Sequence, residues 1–537
     1  MLKLGQSHRD PKHMQAWLIG GGIASISVAV HLISEAQVPG SSIHLLDLHP
    51  APGGGMTPGG NAQDGYFLPF ECHPYFHGSS LERLLSFVPS KTEVGGTMMD
   101  EIRRFENIER PQPQKTALVR ALKHGPSGLE LVETKSLHIG ARNRLALVNL
   151  ILEGEATIGS KTVKDIMDEA FFKSTFWMLW ATEFGLQPWH SAIEFRRHLR
   201  KYLEDIQDLN NVKKLNRTES NLYESIVYPI LTYLKEEHVH FHFNTEVTNL
   251  TVYPVEDPAM VTSLEFLQDG LEHTVNINPT DIVIATLGST SAGASLGTNQ
   301  SSPPNLSLNC ENEVARDWRL WLRLAQHSPK FGCPNNFLSQ GLRSTVETFT
   351  TTFHGPDFMV LYEKLTHDRP GTGAIITLAE SNWAISLSIP RQPVFSSQSR
   401  STNIISGYAL KPASEGRFVR KPMYKCSGQE ILFEILSFLE FPIQPLLSTS
   451  KTIPYGMPFG TAPFLSRHEG DRPRVIPQGT TNIACVGQFV DIPDDTTLAM
   501  QYSVHSAQIA VTELMGLPPT PDEVKKSLLL EVLHFMI

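Results

Sequence analysis

The chain has 537 residues, of which 41% are hydrophobic and 19% are charged, which provides ample material for a buried core and excludes global disorder. Its net charge of −10 excludes the basic surface that nucleic-acid binding requires, so no nucleic-acid partner is expected. The 5 cysteines lie far apart without a CxxC pair, which argues against a disulfide framework and a zinc site; no metal is predicted. The sequence has neither a transmembrane run nor a signal peptide, and we expect a soluble, cytoplasmic protein.

The first chemical signal is a glycine turn between an apolar strand and an apolar helix. The strand and turn read Ala16-Trp-Leu-Ile-Gly-Gly-Gly-Ile-Ala-Ser25, and the predicted helix covers residues 26–35. The first glycine allows the tight turn, the third lets the backbone approach a pyrophosphate, and a serine replaces the glycine that packs helix on strand. The pyrophosphate would lie at the positive end of the helix. We therefore predict a dinucleotide site that includes Gly20, Gly22, Ala24 and Ser25.

The segments that follow favour FAD over a nicotinamide cofactor. A second strand, residues 42–47, ends in an acid placed to accept ribose hydroxyls, and a second glycine loop, Pro52-Gly-Gly-Gly55, comes directly after it. Later strands at 281–287 and 481–486 also run into glycines, whereas nicotinamide Rossmann domains are usually compact. Further FAD contacts are predicted at Asp47, Gly53, Gly54, Gly288 and Gly487.

Insertions interrupt the predicted cofactor-binding unit. We expect an α/β fold in which a discontinuous FAD-binding Rossmann-like domain carries an inserted helical lid and an α+β substrate domain. The expected ranges are 1–80, 216–300 and 470–515 for the Rossmann-like domain, 81–215 for the lid, 301–469 for the substrate domain and 516–537 for a C-terminal helix. Residues 262–285 resemble a hairpin that leads back to the cofactor sheet. The apolar C-terminal helix is expected to dock on the body, with a peripheral membrane or dimer contact as the alternative.

Segments along residues 16–515 resemble, in the same order, the oleate hydratases, also called the myosin-cross-reactive-antigen family. The most specific match is Phe176-Trp-Met-Leu-Trp180 running on to Gln187-Pro-Trp-His-Ser-Ala-Ile-Glu-Phe-Arg-Arg197. Shorter matches include Tyr223-Glu-Ser225, Glu380-Ser-Asn-Trp383 and Gly470-Asp-Arg-Pro473. The resemblance implies an FAD-containing lyase that adds water to a double bond of an unsaturated fatty acid, and a homodimer. In that family the flavin performs no net redox chemistry.

The two residues that carry the family's acid–base chemistry differ in this chain. The resemblance implies a glutamate that activates water and a tyrosine, directly after an Arg-Arg pair, that donates a proton; these positions hold His73 and His198. A neutral histidine can take a proton from water and a protonated one can donate. Glu71 is an alternative base, and Tyr202, on the same helix face as His198, an alternative phenol. The other interpretation is that the histidines are structural, in a site that has lost hydratase activity.

The family's contacts to the substrate carboxylate are also changed. Its glutamine before Tyr-Glu-Ser is Leu222 here, although Asn221 remains, and its Thr-x-Asn-Arg-Gln-Pro-His segment reads Ser-Ile-Pro-Arg-Gln-Pro-Val. In that segment Ser388 keeps hydrogen-bonding capacity and Arg391 offers a charge. A buried carboxylate without partners is costly. We therefore expect either a fatty acid held differently or a related hydrophobic alkene.

Three other functions stay open at this point. A repurposed family member would catalyse isomerisation, cyclisation or oxidation of a hydrophobic alkene metabolite. A flavin-dependent oxidoreductase related to amine oxidases would share the Rossmann strand, acid and glycine loop. A lipid-binding protein would retain the cavity and FAD without turnover. An unchanged product mass would indicate the first, oxygen consumption or substrate-driven bleaching of the flavin the second, and tight lipid binding without a change in the lipid the third.

Overall fold

The structure, a computed structural model, describes residues 9–109, 121–132, 138–203, 216–254, 256–304, 311–371, 375–497 and 499–519. Its strands in chain order are β1 (Ala16–Ile19), β2 (Ile43–Leu46), β3 (Gly59–Asn61), β4 (Gly65–Phe67), β5 (Tyr75–Phe76), β6 (Ala121–Gly125), β7 (Gly128–Leu131), β8 (Asn216–Arg217), β9 (His240–His242), β10 (Thr245–Tyr253), β11 (Met260–Gln268), β12 (Leu271–Asn276), β13 (Ile282–Thr286), β14 (Ser295–Leu296), β15 (Val346–His354), β16 (Ile375–Leu378), β17 (Ile385–Ser388), β18 (Thr402–Ala409), β19 (Ser450–Met457) and β20 (Ile483–Val486).

The α-helices in chain order are α1 (Ile23–Ser34), α2 (Ser79–Leu85), α3 (Met98–Glu109), α4 (Ala141–Leu152), α5 (Glu155–Ile158), α6 (Val163–Ile166), α7 (Glu169–Phe172), α8 (Thr175–Phe184), α9 (Ala192–Lys201), α10 (Tyr228–Glu236), α11 (Glu311–His327), α12 (Asn335–Leu338), α13 (Asp357–Thr366), α14 (Gly428–Phe438), α15 (Ile443–Ser448) and α16 (Ala499–Met515). A π-helical turn, Tyr223–Val227, leads directly into α10.

A five-stranded parallel sheet in the order β20-β13-β1-β2-β9 forms the centre of the dinucleotide-binding fold. Its inner strands are short apolar runs that are buried almost throughout, as parallel strands covered on both faces require. Helix α1 follows β1 directly and packs against α16, so the predicted strand, glycine turn and helix are all present.

Strands β10, β11 and β12 form a separate three-stranded antiparallel sheet that precedes β13. The expected hairpin at 262–285 is therefore part of a larger meander. The additional strand, β10, begins next to the cofactor sheet, because the backbone N–H of Thr245 donates to the carbonyl of Asp47 at 2.8 Å. This junction places residues 245–247 at the wall of the cavity described below.

An eight-stranded sheet in the order β14-β19-β15-β18-β17-β16-β6-β7 forms the second half of the molecule. Its central strand β15 is buried along nearly its whole length, and β4 packs against β15 and β19. Strands β6 and β7 come from the segment 81–215, which the sequence analysis treats as helical. Their chain neighbours are helices, and the pairing partner β16 lies far along the sequence, so local periodicity does not reveal the hairpin.

The buried side chains divide into three large clusters that only partly follow the expected domain division. One combines the parallel sheet with residues 311–338, which pack there through Trp318 and Trp321 although they were assigned to the substrate domain. The second joins the eight-stranded sheet to α13 and α14, and the third holds the helices of residues 139–203 together. We retain the division as a proposal. The C-terminal helix predicted at 516–537 falls, from residue 520 onward, outside the described residues.

None of the described helices combines the length and apolarity needed to cross a lipid bilayer.

Candidate active site

The turn between β1 and α1 leaves open space at the end of the helix. Gly20 has a φ of +100°, a region that side chains rarely adopt, and a Cβ on Gly21 would lie 1.9 Å from Oδ2 of Asp47. Gly22 caps α1, and a Cβ added there would meet no protein atom within 4 Å. Ala24 lines the same space. A helix N-terminus with free space in front of it is suited to a pyrophosphate group.

The second glycine loop lies directly on the first. The N–H of Gly53 donates to the carbonyl of Gly21 at 2.9 Å, and a Cβ on Gly54 would lie 3.2 Å from the Cα of Gly22. Both Gly53 and Gly54 have positive φ angles, +122° and +55°. The structure therefore brings the two predicted loops into one cradle, which larger side chains would fill.

Asp47 directly follows β2 beside this cradle, and one of its carboxylate oxygens has no hydrogen bond within the described residues. Its carboxylate is 3% exposed, and Oδ1 accepts hydrogen bonds from the backbone and ring N–H of His49 at 3.1 and 3.2 Å. Oδ2 has no hydrogen-bond partner among the residues that the structure describes. A ribose hydroxyl would satisfy this buried acceptor. The cradle and the carboxylate together fit the dinucleotide cofactor that the sequence predicts.

Two further predicted cofactor residues follow the neighbouring strands, and a third lies in α1. Gly288 follows β13 and Gly487 follows β20, and both line the cavity. Ser25 lies behind the turn, where its hydroxyl is 3.0 Å from that of Thr286. Ser25 therefore fixes α1 to β13, in keeping with its predicted packing role, and does not line the cavity.

The cradle opens into a cavity of about 700 Å³, a volume typical of ligand pockets. One end is the glycine cradle, and the other is an apolar region between α8 and the eight-stranded sheet. The residues that line this second end include Phe184, Val346, Ile375, Leu410, Met457, Pro463 and Phe464. Such a lining suits an extended hydrocarbon.

Glu71 and His73 both line this cavity, in and just after a turn that follows β4. Burial raises the pKa of the Glu71 carboxyl above its ordinary value, although the amide of Gln488, which donates to Glu71 Oε1 at 3.0 Å, opposes that rise. A carboxylate with a raised pKa is a better proton acceptor than an ordinary one. Gln488 comes directly after Gly487, which follows β20, and it is not among the site residues predicted from the sequence.

His73 is held by two serine hydroxyls. Its Nδ1 lies 3.3 Å from the hydroxyl of Ser388 on β17, and its Nε2 lies 3.1 Å from the hydroxyl of Ser406 on β18. Burial lowers the pKa of His73 to about 4, so the ring is neutral at pH 7. The structure therefore brings Ser388 to His73 rather than leaving it free for a substrate carboxylate.

His198 does not reach the cavity. It is fully buried on α9, and its Nδ1–H donates to the backbone carbonyl of Glu194 at 2.8 Å. The rings of Phe184 and Phe464, which line the cavity, pack against the imidazole with centroids 5.1 and 5.7 Å from it, and His198 itself is not among the lining residues. Burial lowers the pKa of His198 to about 4, so it carries no proton on Nε2 to donate at pH 7.

The remaining predicted residues also lie outside the cavity wall. The hydroxyl of Tyr202 is 3.5 Å from Nε2 of His77, and its ring packs behind Phe184. The side chain of Asn221 is buried and bonds the backbone of residues 224 and 394, as a local cap. Arg391 lies over the ring of Phe105 at 5.3 Å. These three residues match the family in sequence position, but in the structure their side chains contact other protein groups.

Comparison with known proteins agrees with the predicted resemblance. A sequence model of the MCRA family matches residues 13–512. An oleate hydratase from Streptococcus pyogenes serotype M49 is 31% identical over 525 residues, which cover 93% of this chain and 85% of the relative. A linoleate hydratase from Lactiplantibacillus plantarum is 27% identical, with 94% of each chain covered.

Solved structures agree in fold alone. Cyclohexylamine oxidase from Brevibacterium oxydans IH-35A superposes with a TM-score of 0.53 at 12% identity, covering 94% of this chain and 99% of that one. The predicted α/β fold is confirmed, and so is the resemblance to the myosin-cross-reactive-antigen family. The chain belongs to the MCRA family.

Proposed function

We propose that this protein is an FAD-dependent hydratase, a lyase that adds water to a carbon–carbon double bond of an unsaturated fatty acid or a related hydrophobic alkene. The observation that carries the proposal is the position of Glu71. This carboxyl group of raised pKa lies in the wall of the cavity that joins the glycine cradle to the apolar end. The activities named for the two related hydratases support it.

Glu71 is the better base of the two groups in the turn. A base accepts a proton more readily the higher the pKa of its protonated form, and His73 falls to about 4, whereas Glu71 rises above its ordinary value. Gln488 occupies one carboxylate oxygen of Glu71 and leaves the other for a water molecule. Both ring nitrogens of His73 are engaged by serines, so we assign it the positioning of water and substrate rather than proton abstraction.

The cradle residues that would hold FAD are Gly20, Gly22 and Ala24 at the phosphates, Asp47 at the ribose, and Gly53, Gly54, Gly288 and Gly487 around them. Bound FAD supplies a planar ring system that shapes and charges the site without net redox chemistry. The apolar side chains that line the second end of the cavity exclude bulk water. A water molecule at Glu71 therefore meets the double bond in a low-dielectric environment.

The predicted assembly and location also belong to this proposal. We infer a homodimer, a cytoplasmic location and, as the alternative role of the C-terminal segment, peripheral membrane contact; the first two rest on the family resemblance and the composition. Light scattering of the purified protein measures the oligomeric state, and flotation with liposomes measures membrane contact.

A substitution at Glu71 tests the proposed chemistry. Glu71→Gln keeps the size of the side chain but cannot accept a proton, and we expect turnover of oleate or linoleate to fall about 10²–10⁴-fold, the usual contribution of a general base. The hydroxylated product is quantified by mass spectrometry, and bound FAD by its absorbance.

The matched control is Glu183→Gln, which removes another carboxyl group from the same cavity wall. We expect that variant to retain wild-type turnover. Equal activity of Glu71→Gln and the wild type, at equal FAD content, would contradict the assignment of Glu71 as the base.

A further inference from the structure

Water addition also needs a group that protonates the second carbon of the double bond, and the two predicted donors do not supply one. His198 is neutral, and neither His198 nor Tyr202 is among the lining residues, because both rings pack against Phe184 in the wall. The donor must therefore come from another part of the cavity wall. Among the described residues that line the cavity, three carry a phenol: Tyr75, Tyr408 and Tyr455.

Two of these phenols already donate their proton to the backbone. The hydroxyl of Tyr75 donates to the carbonyl of Gly371 at 3.2 Å, and that of Tyr408 donates to the carbonyl of Thr182. A phenol has a single proton to donate, so both groups are engaged. They hold the wall together and are poorly suited to protonate a substrate.

Tyr455 differs from them in its surroundings. It lies on β19, where burial alternates along the strand, so that Tyr455 and Met457 share the face that lines the cavity. Within the described part of the chain, its hydroxyl makes no hydrogen bond. Its ring lies 4.8 Å from that of Phe67, the last residue of β4, which leads into the turn that carries Glu71.

We propose that Tyr455 is the proton donor of the hydration reaction, acting together with Glu71 in the same cavity; this inference rests on the proposed hydratase function. The O–H bond of Tyr455 breaks as a C–H bond forms at one alkene carbon. The water oxygen bonds the other carbon and gives a proton to the carboxylate of Glu71. The negative charge passes from Glu71 to the Tyr455 phenolate, and return of the proton from Glu71 to Tyr455 restores the site.

The charge of Glu71 affects the proton affinity of Tyr455. Burial, with the charges of Glu71 and Cys72, raises the pKa of Tyr455 to about 12, so the phenol is fully protonated before reaction. Because the Glu71 carboxylate contributes to that rise, its neutralisation by the water proton makes the phenol more acidic. Proton uptake at one group therefore favours proton release at the other.

The variant Tyr455→Phe tests the proposal, because it removes the proton and keeps the ring against Phe67. In the FAD-loaded protein with oleate or linoleate, we expect kcat for hydration, and for the reverse dehydration of the hydroxy product, to fall by about 10²–10⁴-fold. KM and bound FAD should stay within about threefold of the wild type. Tyr202→Phe, which removes a phenol outside the cavity, should leave kcat unchanged.

The outcomes separate the inference from the function on which it rests. An active wild type with turnover in Tyr455→Phe within threefold of it would overturn the assignment of Tyr455. A loss confined to KM, or a loss of FAD, would also overturn it, because the residue would then be structural. A wild type that hydrates neither lipid would instead contradict the proposed function.

Discussion

Burial shifts the pKa of single residues in this protein and so makes its stability depend on pH. Glu347 is the clearest case. It lies on β15 with no exposed surface, and neither of its carboxyl oxygens has a hydrogen-bond partner among the described residues. Burial raises the pKa of Glu347 well above its ordinary value of 4.5. The folded protein therefore keeps this proton at a pH where the unfolded chain releases it, and stability falls as the pH rises above that value.

Glu347→Gln should remove this loss, because the amide does not titrate. We expect the thermal midpoint of the variant to exceed that of the wild type at pH 8, and the difference to shrink towards pH 5. Glu434→Gln is the matched control, since the Glu434 carboxylate is also buried but accepts hydrogen bonds from the backbone N–H groups of residues 417–419. That variant should lose about 1–3 kcal/mol of stability. A lower midpoint for Glu347→Gln at pH 8 would contradict this account.

Among the elements, the glycine turn before α1 gives the sharpest prediction for cofactor binding. Gly22→Ala adds a methyl group that meets no protein atom but enters the space assigned to the pyrophosphate. We expect the variant to fold with wild-type stability in the absence of FAD and to bind FAD at least tenfold more weakly, as measured by flavin fluorescence quenching.

Gly154→Ala serves as the control, because Gly154 also caps a helix and faces open space, but at α5, away from the cavity. Wild-type affinity for FAD in Gly22→Ala would show that the phosphates do not lie at this helix end.

The same elements show how far sequence reasoning extends. The strand, glycine turn, helix and terminal acid around Asp47 were predicted because each depends on residues adjacent in the chain. Helix α9 also forms within the segment that resembles the family, but His198 on this helix does not line the cavity. Glu194 on α9 is bound by Arg467 at 2.6 Å and Arg472 at 3.2 Å, and one turn further along the helix His198 packs against the rings of Phe184 and Phe464. Ion pairs between residues this distant in sequence cannot be deduced from spacing.

The cavity wall was the part least open to prediction. Tyr455 carries no local motif, and its place in the same cavity wall as Glu71 results from the packing of β4 against β19, across almost 400 residues of chain. Ser406 and Gln488 likewise reach the turn at Glu71 from distant strands. The two candidate groups in the turn can therefore be predicted from the sequence, but their partners cannot.

For the whole molecule, the distribution of charged side chains around the cavity affects which substrate head group can bind. Among the described lining residues, Arg316 is the single arginine or lysine, and its Nε donates to Glu246 at 3.1 Å, beside the cofactor end. The apolar end has no such cation to bind a fatty carboxylate. We therefore expect the methyl ester of oleate to be hydrated with a kcat/KM within about tenfold of that for oleate. A much larger loss with the ester would reveal a carboxylate site that this account lacks.

The central claim is that this cavity adds water to an isolated double bond, and one measurement tests it most directly. The FAD-loaded protein is incubated with oleate and linoleate in heavy-oxygen water, and the products are examined by mass spectrometry. The account predicts a hydroxy product that gains the mass of one water and carries the heavy oxygen on carbon. A product of unchanged mass, or an oxidised lipid without the label, would contradict it.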